Sequence, residues 1–586
     1  MGRHLSLFLG AVAASATLVA SGSGPGTASG RSAYSAAPFA RAWAEVPPTP
    51  AGRSAKAVLA FGEEQDVNGF NIELACCSPT PGRYALSSAV VRGAFMQNEK
   101  GVWAKDIVAS ASANARTLSY TIRKDAYWYW GGKRIPVTYR DFVYTLRQID
   151  DPRNNVASRE GYDQLDPANF LHKGEKRVTF FWRKENCTAD SPCGPYGRWQ
   201  GLFAYGSLYP ARALAGRDFN DIWMDCICGN DGKPVSDGPF YLSNYTKGHG
   251  MTLKRNPFWY GRKPGLREVD LVTIADTSAE VQAMRRGKVD AIAPTFGQNL
   301  VPLQGAPGIT FKASPGYYME HLEFNEGAGS SNPLLRAPWM RKAIALAIDR
   351  QSLIETIYGP LSGNLTPLNN IEFYSSEAPY KSDFVAWSYN PRKAVAILSR
   401  HCTGGPAKPS ASNSAVWQCS GFAAQFRYSW TTGNRERTLQ EAIIKAELKS
   451  IGIGISDYPE AATAIFSPSG LPSGDFDIAD FAWLTSGDPS DFYDVWRCGG
   501  GSNYTHYCSA RASALLNAGE AAFDPAKRVR DFQIADAVFA ADVPAFPLYE
   551  RPVPLVYRSR IAGMAINAGA AGPFWNVEDW RWKSSQ

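Results

Sequence analysis

Residues 474–496 read GDFDIADFAWLTSGDPSDFYDVW. The run Asp475–Trp483 is predicted to be a strand, because both of its faces are largely apolar, as in strands buried within α/β sheets. A polar turn, Thr485–Pro489, follows it. Since ligands of open α/β sheets bind at the carboxyl ends of strands, Trp483 and this turn are a candidate wall of a binding cleft. The alternative is an ordinary strand, turn and helix start, with Asp488–Asp491 supplying caps.

The composition indicates a globular chain with several cores. Its 586 residues are 45% hydrophobic and 12% aromatic, and this length corresponds to roughly two to four domains. The 17 Trp and 27 Tyr residues suit binding clefts and large cores alike. The net charge of +7 is spread along the chain without a Lys/Arg block, which argues against nucleic acid as a partner.

The N-terminus has the layout of a secretory signal. A basic start precedes the apolar run Leu5–Ala20 and a group of small residues, so a signal peptide is predicted over residues 1–21. The apolar run is short for a membrane span, although an uncleaved signal could act as an anchor. No Cys precedes Cys76, so a lipid anchor is not expected. The predicted location is extracellular, cell-surface or periplasmic, and residues 22–52 are predicted to be a disordered linker.

The ten cysteines form local groups, which is typical of exported proteins. Short separations within polar loops favour disulfides that restrain those loops. The alternative of a metal site is weaker because no CxxC motif occurs, and no metal is predicted. The predicted pairs are Cys187–Cys193, Cys402–Cys419 and Cys498–Cys508, with Cys76 and Cys77 bridged to Cys226 and Cys228.

Apolar residues at helical spacing, with caps, predict a series of helices. Two strand–helix–strand units, Val269–Ile292 and the one containing Arg435–Ser450, predict parallel crossovers. Thr277 or Ser278 is expected to cap the helix of the first unit, and Gly287 to end it. The predicted helices are Arg83–Met96, Thr138–Ile149, Thr277–Arg286, Trp339–Asp349, Pro391–Arg400, Arg435–Ser450 and Lys527–Ala541.

Catalytic signatures are absent from the sequence. It contains no HExxH, GxSxG, Walker or GxGxxG motif, and its six His residues are scattered. The carboxylates between Asp475 and Asp494 could include a glycosidase pair, but carboxylates this close in sequence are more typical of turns and helix starts. No enzyme activity and no cofactor are predicted.

Aromatic residues beside polar loops recur next to predicted strands. Trp430 and Trp483 each end a strand and precede a polar turn, and Tyr317 precedes a strand that ends near Asn325. A single buried aromatic residue more often belongs to a core. Their recurrence at strand ends nevertheless favours a ligand site.

Several segments, taken in order, resemble one family: the extracellular solute-binding proteins of ABC transporters, peptide/nickel group (family 5). The resemblance extends from about Val58 to Trp580, nearly the whole chain after the linker. The segments that carry it are Tyr120–Lys133 with Thr138 and Asp141, Gly238–Pro264, Phe324–Ile354, Leu448–Ile453 and Asp542–Tyr549.

This resemblance implies an α/β, two-lobed periplasmic-binding-protein-like fold with an extra α+β domain and a hinge between the lobes. Chain crossings near Pro307–Tyr317 and Val543–Leu555 would form the hinge. The implied domain ranges are 53–80, 234–310 and 546–586 for domain I, 81–233 for the extra domain II, and 311–545 for domain III. The implied ligand-binding residues are Asn68, Phe70, Tyr317, Asn325, Trp430, Trp483, Thr485, Ser486 and Asp488.

The turn after Trp483 departs from the peptide-binding members of the family. The resemblance implies an Asp between the strand-end Trp and the Pro, where it would pair with the α-amine of a peptide. Here the turn is one residue shorter. Counting from Trp483 gives Ser486 and counting from Pro489 gives Thr485, and neither is acidic. Asp488 is the candidate substitute, and sugars, opines and metal chelates stay open as ligands beside peptides.

The resemblance therefore predicts an extracellular solute-binding component of an ABC importer. It would capture a peptide or another small polar solute between two lobes and deliver it to the membrane permease subunits. A monomer is expected. The alternative function is that of a secreted hydrolase or a cell-wall interaction protein.

Overall fold

The computed structural model describes most of the chain after the predicted linker. The predicted signal peptide and linker, together with Cys76 and Cys187, lie outside the described residues. Within the part of the chain that is described, no helix is both long and apolar enough to cross a membrane. The described residues are 57–64, 66–74, 77, 87–185, 193–274, 276–294, 296–363, 365–432, 434–466, 469–569 and 571–583.

Among the described residues the strands form several separate sheets. In chain order they are β1 (Val58–Glu63), β2 (Phe95–Gln97), β3 (Trp103–Lys105), β4 (Val108–Ala113), β5 (Thr117–Ile122), β6 (Tyr127–Trp130), β7 (Lys133–Pro136), β8 (Leu165–His172), β9 (Arg177–Trp182), β10 (Val235–Ser236), β11 (Phe240–Thr246), β12 (Gly250–Arg255), β13 (Glu268–Thr273), β14 (Ala291–Ile292), β15 (Ile309–Ser314), β16 (Tyr318–Phe324), β17 (Gln418–Cys419), β18 (Phe422–Ala423), β19 (Gln425–Thr431), β20 (Gly454–Glu460), β21 (Ile478–Leu484), β22 (Ala545–Glu550), β23 (Val553–Arg558), β24 (Ile561–Ala562) and β25 (Arg581–Trp582).

The helices cover the faces of these sheets. In chain order they are α1 (Tyr139–Asp150), α2 (Thr277–Arg286), α3 (Pro338–Ala347), α4 (Arg350–Tyr358), α5 (Pro391–His401), α6 (Arg435–Ser450), α7 (Ala462–Ile465), α8 (Tyr493–Trp496), α9 (Ala510–Glu520) and α10 (Pro525–Asp542).

Capping residues fix several helix ends. Thr138 caps α1 in a capping box, as predicted. For α2 the prediction of Thr277 or Ser278 is wrong by one position, because the Asp276 side chain accepts the N–H of the third helical residue. Asp276, Thr277 and Ser278 are all of a type that can cap a helix, and the first of them, Asp276, is the N-cap. Gly287 ends α2 in the left-handed region, with φ of 72°, as predicted.

The first lobe, defined here as residues 57–314 and 553–583, contains a seven-stranded sheet in the order β11-β12-β13-β1-β14-β23-β15. Strand β1 lies parallel to both β13 and β14. The unit β13-α2-β14 is therefore a parallel crossover that passes over β1, which confirms the predicted strand–helix–strand unit.

The first lobe also carries an extra domain, with a four-stranded antiparallel sheet in the order β4-β5-β9-β8. Arg92 joins this domain to the C-terminal part of the lobe. Its guanidinium donates to the Trp575 carbonyl at 2.9 Å, forms an ion pair with Glu578 and lies 3.2 Å from Asp106. Because this guanidinium is buried, its paired charges hold the extra domain and the seven-stranded sheet together.

The second lobe, defined as residues 318–550, is built on a five-stranded sheet in the order β20-β19-β21-β16-β22. Strand β19 is parallel to β20 and β21, and β16 is antiparallel to β21 and β22. Residues Ile478–Trp483 of β21 are all buried, so this strand is covered on both faces as its sequence predicts. Helix α6 connects β19 to β20 in a second parallel crossover, and this prediction is also confirmed.

The chain crosses between the lobes twice, at residues 315–317 and 551–552. These crossing segments lie side by side, since the Arg551 N–H donates to the Tyr318 carbonyl at 3.0 Å. Both fall within the predicted crossing ranges. The domain ranges remain predictions. Two of their boundaries, 310/311 and 545/546, fall inside β15 and β22.

Two predictions of local structure are wrong. The predicted helix Arg83–Met96 is wrong in its second half: residues 87–89 are helical, but Phe95 and Met96 belong to β2, which pairs with β3, because strand pairing with a later segment overrides the local spacing. Cys226 is bonded to Cys228 and not to Cys76 or Cys77. The local backbone places the Cys226 and Cys228 Cα atoms 5.4 Å apart, within the span of a disulfide.

The other disulfides agree with the prediction where they can be described. Cys402 pairs with Cys419, and Cys498 pairs with Cys508. Cys77 and Cys193 are also disulfide-bonded. The Cys187–Cys193 pair stays a prediction, because Cys187 lies outside the described residues.

Candidate ligand cleft

The strand-end loop of the second lobe, residues 485–488, begins where β21 ends. Strand β16 is antiparallel to β21, so its first residue, Tyr318, pairs with Leu484. The Thr485 N–H then donates to the Tyr317 carbonyl at 2.9 Å. The strand-end loop is thereby fixed beside the first crossing segment, at the carboxyl end of β21, on the side of the sheet where the chain crosses to the first lobe.

Tyr317 lies between the two lobes. A Cβ atom at Gly101, in the first lobe, would lie 3.4 Å from the Tyr317 hydroxyl, and one at Gly487 would lie 2.7 Å from its ring. Gly487 also has φ of 82°, so two constraints favour glycine there. The Tyr317 and Tyr374 ring centroids are 5.1 Å apart, and the Thr485 hydroxyl donates to the Tyr374 oxygen at 3.0 Å.

The first-lobe wall opposite Tyr317 comes from the hairpin β2-β3 and from the C-terminal segment. The Asn567 amide donates to the Gln97 carbonyl at 3.1 Å, which joins the two segments. The Tyr317 N–H donates to the Ala568 carbonyl at 3.3 Å. The crossing segment therefore contacts both lobes at this wall.

Asp491 supplies a carboxylate to the strand-end loop. Its Oδ2 accepts both the backbone N–H of Ser486 and the Ser486 hydroxyl, the latter at 2.7 Å. The 3₁₀ turn Pro489–Phe492 makes this possible by folding back, with Asp488 capping the N–H of Ser490 at 3.0 Å. A carboxylate thus contacts Ser486, which lies three residues after Trp483, where the family resemblance implies an Asp.

Arg198, from the first lobe, reaches this same point. Its Nη1 forms an ion pair with Asp491, and its Nη2 donates to the Ser486 hydroxyl at 2.7 Å. Its Nε lies 3.9 Å from Asp488. Burial opposes the charge on Arg198, but Asp491 and Asp488 outweigh it and raise the pKa of the guanidinium well above its usual value. Arg198 therefore stays charged and bridges the lobes.

Asp488 lies between two arginines, one from each lobe. Its Oδ1 pairs with Arg528 at 2.5 Å, in addition to the contact with Arg198. Burial alone would raise the pKa of Asp488, but Arg528 and Arg198 together hold it below the usual value. This carboxylate is ionised at neutral pH and its charge is neutralised within the protein.

Two further carboxyl groups border the Tyr317 and Tyr374 rings. Glu377 accepts the Tyr374 N–H at 2.7 Å, and Glu550 accepts the Ser375 N–H and, at 2.7 Å, its hydroxyl. Burial, assisted by the nearby Asp488 and Glu550, raises the pKa of Glu377 to about 8. Burial also raises the pKa of Glu550. A carboxyl protonated at neutral pH can donate a hydrogen bond, whereas an ionised one binds cations.

The structure brings together four of the predicted site residues, namely Tyr317, Thr485, Ser486 and Asp488. Sequence reasoning missed Arg198, Asp491, Tyr374, Glu377 and Glu550 as members of this cluster. The run Tyr374–Glu377 has the same aromatic-plus-polar composition as the loops that were selected, so that signal was available. Arg198 has no comparable signal, because it comes from a separate domain.

The other predicted site residues lie away from this cluster. Trp483 is 2% exposed and Trp430 is 6% exposed, and both belong to the core of the second lobe. The Asn325 amide donates to the carbonyls of Gly474 and Phe476 at the opposite end of β16. Phe70 is buried in the first lobe, and Asn68 is exposed. A ligand role for these five residues stays a prediction.

Across the described ranges, no three or more His, Cys, Asp or Glu side chains are arranged to hold a metal ion.

The chain matches one known protein family over most of its length. The family described as "Bacterial extracellular solute-binding proteins, family 5 Middle" matches residues 100–504. The chain belongs to this family. The family 5 assignment confirms the resemblance found in the sequence, and it agrees with the two-lobed α/β fold.

Individual relatives of this family 5 protein have names that describe binding. The oligopeptide-binding protein OppA of Mycobacterium tuberculosis is 26% identical over 463 residues, covering 78% of this chain and 72% of OppA. The periplasmic EDTA-binding protein EppA has a similar structure, with a TM-score of 0.77, 22% identity, and coverage of 90% of this chain and 97% of EppA. AppA of Bacillus subtilis in complex with a nonapeptide has a TM-score of 0.71, 18% identity, and coverage of 90% and 99%.

Proposed function

We propose that this protein captures a peptide between its two lobes and delivers it to the permease subunits of an ABC importer. The observation that carries the proposal is the cluster at the strand-end loop. There, aromatic rings, hydroxyls and carboxyls of the second lobe and of the first crossing segment meet the Arg198 guanidinium of the first lobe. Closure around a solute would exclude water, so each hydrogen bond inside would count for more than it does at the surface.

The chemistry of the cluster supports a peptide over a purely apolar solute. The Tyr317 and Tyr374 rings offer flat surfaces with polar edges, which suit side chains of varied type. Glu377, protonated at neutral pH because its pKa is about 8, can donate to a carbonyl oxygen. The relatives named as oligopeptide-binding proteins support the same choice. A monomer in solution and an extracellular location belong to this proposal.

The proposal is tested by adding a library of short peptides to the purified protein and measuring its melting temperature and the mass of the complex. A ligand that binds the folded state raises the melting temperature in proportion to the logarithm of its concentration. We expect stabilisation by peptides that are recovered intact. Stabilisation by sugars or metal chelates and not by peptides would contradict the peptide assignment. Peptide cleavage would favour a secreted hydrolase instead.

A further inference from the structure

Arg198 is a side chain of the first lobe whose charged group faces the second lobe. Each guanidinium nitrogen lies near an oxygen of the strand-end loop or of Asp491, as described above. The backbone carries it there, because the Gly197 N–H donates to the Glu520 carbonyl of the second lobe at 2.8 Å. The Arg198 side chain is 16% exposed and that of Asp491 is 5% exposed. The pair is therefore largely removed from water.

The two acids within 4.0 Å of the Arg198 guanidinium, Asp488 and Asp491, differ in their other partners. Asp488 also has Arg528, from its own lobe, as a cationic partner. Asp491 has one cationic partner within 4.0 Å among the described residues, and that partner is Arg198. When the lobes separate, Asp488 keeps a cation but Asp491 loses its own. Asp491 then keeps the Ser486 N–H and hydroxyl as donors but has no cation beside it, so it favours any other cation that can reach it.

We propose that Arg198 is a specificity-determining residue that occupies the cation site of the strand-end loop in the absence of solute. It holds the lobes together by pairing with Asp491, and a solute that carries an ammonium group competes with it for that carboxylate. This inference rests on the proposed function, since the competing cation would be the amino terminus of a peptide.

The alternative partner for an ammonium group in this cluster is Glu377 or Glu550. Neither of these two has a Lys or Arg within 4.0 Å in the described part of the chain. Burial raises the pKa of Glu377 to about 8, and burial also raises the pKa of Glu550. A neutral Glu377 carboxyl attracts an ammonium group weakly, whereas Asp491 already holds a cation, the Arg198 guanidinium. The position of Arg198 thus controls access to Asp491, which has no other Lys or Arg within 4.0 Å among the described residues.

The test compares matched peptides with a free or an acetylated amino terminus. Their affinities are measured by calorimetry on wild type, Arg198→Ala, Arg198→Lys and the exposed control Arg217→Ala. We expect Arg198→Ala to shift the affinity ratio toward the free amine by roughly tenfold, the size of one charge-assisted hydrogen bond. Arg198→Lys and Arg217→Ala should keep the wild-type ratio. An unchanged ratio in Arg198→Ala, with both peptides still bound, would overturn the inference.

A second measurement separates this inference from the proposed function. The radius of gyration without solute is measured by small-angle scattering for the same variants, with circular dichroism to confirm folding. We expect Arg198→Ala to be more expanded than wild type and Arg217→Ala to match it. If no peptide binds any variant, the peptide assignment fails, and the scattering then decides: expansion supports the role of Arg198, and identical radii refute it. If Arg198→Ala does not fold, Arg198→Gln takes its place in both measurements.

Discussion

The indole N–H of Trp483 donates to a carboxylate oxygen of Glu323 at 3.0 Å, and both side chains are buried. The Trp483 ring also packs against Phe481 and Tyr504, at centroid distances of 5.2 and 5.7 Å. We expect Trp483→Ala to lower the free energy of unfolding by about 3–5 kcal/mol, because it deletes a large buried ring and removes one of the two hydrogen-bond partners of Glu323 Oε1, the other being His321 Nε2 at 3.2 Å. Denaturant titration measures this loss.

A matched control is Trp339→Ala, whose ring is only partly buried and stacks on His401 at 4.4 Å. It should cost less than about 1.5 kcal/mol, as expected for a side chain near the surface. The opposite result would be a Trp483→Ala variant with wild-type stability and no ligand binding. That result would return Trp483 to the cleft wall predicted from the sequence.

A buried charge cluster adjoins the crossing segments. Glu320 lies 2.6 Å from Arg437 and 3.4 Å from Arg551, and all three side chains are at most 3% exposed. Burial opposes ionisation of Glu320, but Arg437 and Arg551 outweigh it and lower its pKa. We expect Arg437→Met to destabilise the protein by about 3–5 kcal/mol, because it leaves a buried carboxylate with one weaker partner. Equilibrium unfolding of the variant provides the value.

A double-mutant cycle tests whether this loss comes from the pair. Glu320→Gln combined with Arg437→Met should recover at least about 1 kcal/mol relative to the sum of the single changes. The control is Arg153→Met, which breaks an ion pair with Asp151 in which the Arg side chain is 86% exposed. That change should stay within about 0.5 kcal/mol. Strict additivity in the cycle would mean that the cluster contributes through packing alone.

Local sequence signals predicted the elements whose ends carry their own caps. Helix α6 begins and ends at the predicted residues, since Asn434 caps its first turn through the Arg437 N–H at 2.9 Å. The predicted helix Arg83–Met96 extended too far, into β2, because apolar spacing cannot reveal that Phe95–Gln97 pairs with β3. The predicted partners of Cys226 were wrong for a similar reason, because disulfide partners depend on backbone geometry rather than on sequence spacing.

The candidate cleft was predictable where neighbours in sequence are neighbours in space. Thr485, Ser486 and Asp488 follow β21 directly, and the antiparallel pairing of β16 brings Tyr317 to them. Arg198 could not be found in this way, because it belongs to another domain and meets Ser486 only through the arrangement of the two lobes. The resemblance to family 5 located the strand-end loop, but it could not show which later residue would supply its acid.

The disulfides should contribute according to the length of the loop that each closes. Cys402 and Cys419 are 17 residues apart, whereas Cys226 and Cys228 are two residues apart. The chain-entropy model assigns roughly 3 kcal/mol to a loop of about 15 residues. We therefore expect the Cys402→Ser/Cys419→Ser variant to lose about 3 kcal/mol in denaturant unfolding and the Cys226→Ser/Cys228→Ser variant to lose much less. Equal losses would show that enthalpy or residual structure, rather than loop closure, sets these contributions.

Glu63 ends β1 at the carboxyl edge of the first-lobe sheet, and burial, with Glu64 adding to it, raises its pKa from 4.5 to about 8. The folded state therefore holds this proton more tightly than the unfolded chain does. The protonated Glu63 carboxyl contributes stability that is fully present below the unfolded pKa of about 4.5. This stability is lost as the pH rises through the folded pKa of about 8. Each unit of pKa difference corresponds to about 1.4 kcal/mol.

Glu63→Gln removes this loss, because an amide does not ionise. We expect its melting temperature to exceed that of wild type near pH 9 by roughly 1 °C for each kcal/mol regained, because the entropy of unfolding of a chain this long is large, and to differ less near pH 5. The exposed Glu99→Gln serves as the control and should follow wild type at both values. A pH-independent difference between Glu63→Gln and wild type would mean that the carboxyl is solvated in the folded protein, so that its burial does not govern the pH dependence.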